Sequence, residues 1–126
     1  MTPEKPSILI VDEESDALKQ VSSSLDASRF RTATCAFGRV AYEYIAANKP
    51  NLVLMDARLL YLEGARAFEG MRESSPGTRV VFVDTEGPWA LLMDLPRQGS
   101  DEILINPCTR QEMVGMVEQL MLIQSG

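Results

Sequence analysis

Three stretches of four apolar residues in this chain run straight into a carboxylate. Ile8-Leu9-Ile10-Val11 meets Asp12 and Glu13, Leu52-Val53-Leu54-Met55 meets Asp56, and Val80-Val81-Phe82-Val83 meets Asp84. A short run with no polar face, rich in Val and Ile, reads as a strand covered on both sides. Strands of that kind belong to a parallel sheet sandwiched between helices. In an open parallel sheet, ligands gather at the carboxyl ends of the strands. Acids closing three strands therefore point to one pocket lined by several carboxylates. Such a pocket suits a cation, phosphate chemistry on a carboxylate, or both.

Strand and helix patterns alternate five times along the chain. Ser7–Asp12 is strand-like, and Leu18, Val21 and Leu25 follow at helical spacing, which predicts a helix over about 16–27. Residues 31–36 alternate more weakly and form a second strand. Val40, Tyr44 and Ile45 mark a helix that stops near Asn48-Lys49-Pro50, because proline cannot continue it. Residues 51–56 form the third strand. Phe68 and Met71 share a helical face over 64–73, and Ser75-Pro76-Gly77 turns the chain. The fourth strand covers 79–84. Pro88 starts a short helix that Pro96 ends, and residues 102–105 form the fifth strand. Thr109 and Glu112 make a capping box for the last helix, whose stripe is Met113, Val117, Leu120 and Met121. The expectation is an α/β domain, (βα)5, with a parallel five-stranded sheet and helices on both faces.

The 126 residues make one domain, with an ordered core over about 7–123. A net charge of −6 argues against nucleic acid as a direct partner. No apolar run is long enough to span a bilayer, and the first six residues lack the apolar core of a secretory signal. The expected location is the cytoplasm, where Cys35 and Cys108 stay as thiols. The chain has no histidine, which removes histidine catalysis and most zinc sites.

Taken together, Asp12-Glu13 after the first strand, Asp56 after the third, Gly64 eight residues later and Asn106-Pro107 after the fifth resemble the receiver domain of two-component response regulators. The resemblance covers nearly the whole chain. It implies the flavodoxin-like doubly wound sheet with strand order 2-1-3-4-5, and a signalling module, not an enzyme. It implies Mg2+ held by Asp12, Glu13, Asp56 and the backbone carbonyl of Arg58, with Asp56 as the acceptor of a phosphoryl group from a histidine kinase. Carboxylate oxygens are the ligands that Mg2+ prefers, and Glu13 and Asp56 would bind directly with Asp12 acting through water.

The chain departs from the family where the phosphoryl group would be held. Asn106 stands in place of the fifth-strand lysine, and the chain's lysines are Lys5, Lys19 and Lys49 only. Asp84 stands in place of the fourth-strand hydroxyl, with Thr85 one residue on. Recruiting Thr85 needs a one-residue slip, which turns every side chain of the strand over. Ile103 replaces the switch aromatic, and Leu60 replaces the proline four residues after the acceptor. Arg58 is the candidate pocket cation, pairing with Asp84 or Glu86. The expectation is an atypical receiver with impaired phosphorylation switching that acts through protein contacts, with a histidine kinase or an output protein as partner.

Trp89 and Met93, on the helix between Pro88 and Pro96, are the candidate partner surface, against packing of Trp89 over the sheet edge. The Met- and Leu-rich last helix is a candidate homodimer face, against simple core packing. Three rival readings remain. One is a conventional Mg2+-dependent receiver phosphorylated on Asp56. Another is an Asp-nucleophile phosphatase, disfavoured because Asp56-Ala57-Arg58 lacks the second Asp. The last is a flavin-binding protein, disfavoured by the acidic loop Asp12-Glu13-Glu14-Ser15-Asp16, which is no phosphate cradle.

Overall fold

The computed structural model describes residues 5–11, 21, 23–25, 27–36, 39–56, 70, 73–84, 102–105 and 109–125. Five strands are present: β1 (Ser7–Val11), β2 (Arg31–Cys35), β3 (Leu52–Asp56), β4 (Arg79–Asp84) and β5 (Glu102–Ile105). Two helices have described bounds, α1 (Arg39–Asn48) and α2 (Arg110–Ser125). The strands pair in parallel in the order β2-β1-β3-β4-β5. The sheet is therefore doubly wound, as the sequence pattern and the resemblance both imply.

The unbroken apolar runs have the cause inferred for them. β1, β3 and β4 are the three central strands, and residues 8–11, 52–55 and 80–83 are at most 2% exposed. Strand alternation divides them between two cores. Ile8, Ile10, Leu52, Leu54, Val81 and Val83 pack on one face, against Val21, Leu25, Phe30 and the buried stripe of α2. Leu9, Val11, Val53, Met55, Val80 and Phe82 pack on the other, against Ala41 and Ile45 of α1. Each large aliphatic side chain removed from water in this way contributes about 1.5–3 kcal/mol. β2 lies at one edge, and its residues are exposed or half-buried, which accounts for its weaker apolar pattern.

The α2 stripe is Met113, Met116, Val117, Leu120 and Met121, a 3.6-residue period without interruption. Its methionines are core. The capping box is formed: the Glu112 N–H donates to Thr109 Oγ1 at 3.0 Å, and the Thr109 N–H to Glu112 Oε1 at 3.5 Å. In α1 the expected apolar face needs correction. Ala41 and Ile45, four apart, are buried, Tyr44 is half-buried, and Val40 is 63% exposed. Val40 lies about 100° round the helix from Ala41, far enough to leave the core face. The helix closes through Lys49, whose φ of 47° is left-handed and whose N–H donates to Ile45 O at 2.9 Å.

The entry ends of the strands are tied together. The Arg31 N–H donates to Pro6 O at 2.9 Å, Asn51 N–H to Ser7 O at 2.9 Å, and Arg79 N–H to Asn51 O at 3.1 Å. Asn51 Oδ1 accepts a further bond from the Ser7 N–H at 2.8 Å. Beneath β4, the Ser75 and Thr78 hydroxyls bond each other at 2.5 Å, and Thr78 Oγ1 donates to Pro50 O at 2.5 Å. Both hydroxyl residues are buried, so this relay satisfies polar atoms that water does not reach. The turn expected at Ser75-Pro76-Gly77 is present, closed by Thr78 N–H to Ser75 O at 3.1 Å.

Candidate functional site

Two of the central strands, β3 and β4, end on acids, Asp56 and Asp84, at the same end of the sheet. Val11 pairs with Met55, so Asp56 is one residue beyond the last described residue of β1. Asp56 is paired with Val83, and Asp84 with Ile105. The backbone positions of Asp56 and Asp84 are thus the final residues of adjacent strands, staggered by one. Asn106 follows Ile105 directly in the sequence. Ile103 sits within β5, in register with Phe82.

The expectations for Asp12, Glu13, Arg58, Leu60, Thr85, Glu86, Trp89, Met93 and Asn106 fall outside the described residues. The same holds for Cys108. Cys35 is a half-buried free thiol at the end of β2, and burial pushes its pKa above the ordinary value.

β1 leads into Asp12-Glu13, and β3 ends on Asp56 beside it. Carboxylate oxygens are the donors that a hard divalent cation such as Mg2+ takes, and among the described residues no group of three potential ligand side chains is gathered.

The other end of the sheet carries features that sequence patterning did not single out. Ser7, Arg31, Thr32, Tyr44 and Asn48 line a cavity of about 100 Å³ where β1, β2 and the last turn of α1 meet. Ser7 and Arg31 are register partners. The polar residues at strand starts and at the helix end were the available signal, but each has an ordinary reading as a solvated terminus.

Comparison with known proteins agrees with the fold. The model of the response regulator receiver domain family matches residues 8–118, and the chain belongs to that family. It is 28% identical over 118 residues to the regulatory protein AtoC of Escherichia coli, covering 94% of this chain and 26% of AtoC. It is 25% identical over 116 residues to the transcriptional regulatory protein PrrA of Mycobacterium tuberculosis, covering 92% of this chain and 50% of PrrA. The chain therefore spans half or less of the length of these relatives.

Among solved structures, a response regulator from Thermotoga maritima superposes with a TM-score of 0.78 at 19% identity, covering 94% of this chain and 98% of that one. NtrX from Brucella abortus, in complex with ATP, superposes with a TM-score of 0.76 at 23% identity, covering 97% of this chain and 28% of NtrX. At these identities the likeness is one of fold. Receiver domains are signalling modules that generally bind Mg2+ at the phosphorylation site and interact with histidine kinases and output domains. No helix among the described residues is long and apolar enough to cross a membrane.

Proposed function

We propose that this chain is an atypical receiver, a signalling domain that works through protein contacts and whose phosphorylation switch at Asp56 is impaired. The observation that carries the reading is the stagger of Asp56 and Asp84 at the ends of adjacent strands, with Asn106 following the next strand. Asp12, Glu13, Asp56 and Asp84 would then crowd one end of the sheet, and the sequence has no lysine after Lys49 to balance them. A phosphoryl group adds about −1.5 to −2 of charge there. The missing lysine removes a charge-assisted hydrogen bond of about 1.5–3 kcal/mol, and Asp84 replaces a donor with a repelling charge.

Mg2+ would be held by Glu13 and Asp56 directly, by Asp12 through water and by the carbonyl of Arg58. It would supply positive charge against the crowded carboxylates. Arg58 follows Asp56 by two residues, and its guanidinium would pair with Asp84 or Glu86. The partner is a histidine kinase or an output protein in the cytoplasm, met through the surface around Trp89 and Met93. The family membership and the acid set equally support the alternative of a conventional receiver phosphorylated on Asp56.

Acetyl phosphate with Mg2+ separates the two. Transfer to Asp56 would form an acyl phosphate, release acetate and add about 80 Da. The atypical reading expects no stoichiometric adduct by intact mass. A rapid, stoichiometric adduct at Asp56 assigns the chain to the conventional class.

A further inference from the structure

β2 is an edge strand, with β1 on one side and, among the described residues, no strand on the other. Its register fixes which backbone groups turn outward. The Arg31 N–H donates to Pro6 O, so Arg31, and by alternation Ala33 and Cys35, direct their N–H and C=O groups toward β1. Thr32 and Thr34 direct theirs to the open side, and both residues are exposed. Edge strands are commonly blunted by charge, proline or a bulge. Thr32-Ala33-Thr34 has neither charge nor proline, and the pairing of β2 with β1 runs without a bulge.

Two copies of this edge complement each other. With β2 antiparallel to β2 of a second copy and Ala33 opposite Ala33, Thr32 of each copy stands opposite Thr34 of the other. Each such pair exchanges two backbone hydrogen bonds, so the outward groups of both threonines are used. Thr opposite Thr is itself a favourable cross-strand pair. The arrangement has a two-fold axis and closes at a dimer.

Charge favours the same arrangement. Arg31 starts β2, and Lys5 lies two residues before Ser7, the register partner of Arg31. At the other end Val11, the register partner of Cys35, leads directly into Asp12-Glu13. Antiparallel pairing sets the basic end of one copy beside the acidic end of the other. Two strand spacings separate them, roughly 10 Å, which is about one Debye length. Parallel pairing would set like ends together. The flank of α1 above this edge adds an apolar group. Tyr44 lines a cavity with Ser7 and Arg31, and Val40, one turn earlier on the same flank, is 63% exposed.

We propose that the β2 edge is a homodimer interface, in which Thr32 and Thr34 of two copies pair antiparallel about Ala33 and join the two sheets into one. The contact uses nothing at Asp56, so it stands or falls apart from the phosphorylation reading.

Sedimentation equilibrium of the chain from micromolar to millimolar concentration tests this. The expected result is a monomer–dimer equilibrium, with amide exchange at Thr32 and Thr34 slowing as the dimer fills. Thr34→Pro removes an outward N–H and no bond to β1, and should weaken dimerisation at least about tenfold. Thr32→Lys/Thr34→Lys and Thr32→Glu/Thr34→Glu each place like charges opposite one another, so each should be monomeric alone. Mixed in equal amounts, the two should form a heterodimer, and this pair decides the matter if Thr34→Pro fails to fold. A chain that stays monomeric at millimolar concentration, a dimer that survives Thr34→Pro, or folded charge variants that do not recombine overturns the proposal.

Discussion

Asp56 and Asp84 close neighbouring parallel strands one residue out of step, Asp56 opposite Val83 and Asp84 opposite Ile105. Two carboxylate residues therefore end the sheet side by side, and the next residue after β5 is an uncharged Asn106. The charge balance at this end governs the first two predictions.

Restoring the missing groups should restore phosphorylation. The double variant Asp84→Thr/Asn106→Lys supplies a hydroxyl and an ammonium where the family has them. The lysine bond alone is worth about 1.5–3 kcal/mol, or roughly ten- to a hundredfold in adduct yield. Intact mass after acetyl phosphate treatment should show the adduct in the double variant and lose it again on Asp56→Asn.

Removing one acid should stabilise the metal-free protein. Like charges held close together repel one another when no cation is present. Asp84→Asn should raise the metal-free Tm, by about 3–5 °C if the relief is ~1 kcal/mol. Mg2+ should raise the Tm of the original chain through binding to the folded state. Calorimetry with and without Mg2+ checks both. An unchanged Tm in Asp84→Asn would show that Asp84 is solvated away from the other acids.

The buried hydroxyl relay should matter more than its surface neighbour. Thr78→Val keeps the shape but leaves the Ser75 hydroxyl and Pro50 carbonyl short of a partner in a dry place. The expected loss is about 1–3 kcal/mol. Ser74→Ala removes an exposed bond to Gly70 O and should stay within ~0.5 kcal/mol. Urea denaturation of the two variants makes the comparison.

The cap of α2 is a second local test. Thr109→Ala deletes the acceptor of the Glu112 N–H and should destabilise the chain by about 0.5–2 kcal/mol. A midpoint within error of the parent would mean that core packing of α2 alone decides its start.

Cys35 should react slowly. Burial raises its thiol pKa above 9.0, so less thiolate is present at pH 8 than in an unfolded chain. In a Cys108→Ser background, alkylation should accelerate on unfolding. The stability linked to the neutral thiol is complete below about pH 9 and is lost as pH rises through the folded-state value. Denaturation at pH 8 and pH 10, with Cys35→Ala as reference, reads that loss.

Short-range patterns carried much of the fold. The runs 8–11, 52–55 and 80–83 announced central strands because a strand covered on both faces has no polar side. The Met113-to-Met121 stripe announced α2, and Thr109 with Glu112 announced its start, because caps and helical periods are local. Each of these depends on residues within a few positions of one another. The acids at the strand ends were legible for the same reason.

What the sequence could not settle was which of two equally local choices packing would favour. Val40 and Ala41 both fit a helical face, and only the approach of α1 to the sheet buries Ala41 and turns Val40 out. The neighbours of Asp84 and the meeting of Ser7, Arg31, Tyr44 and Asn48 depend on strand register and on how a helix end lies over a sheet. Those residues are 24 to 41 positions from Ser7 in the chain, and no local periodicity couples them. The chain itself determined which segments are strands and which acids end them, and tertiary packing decided which of those residues face one another.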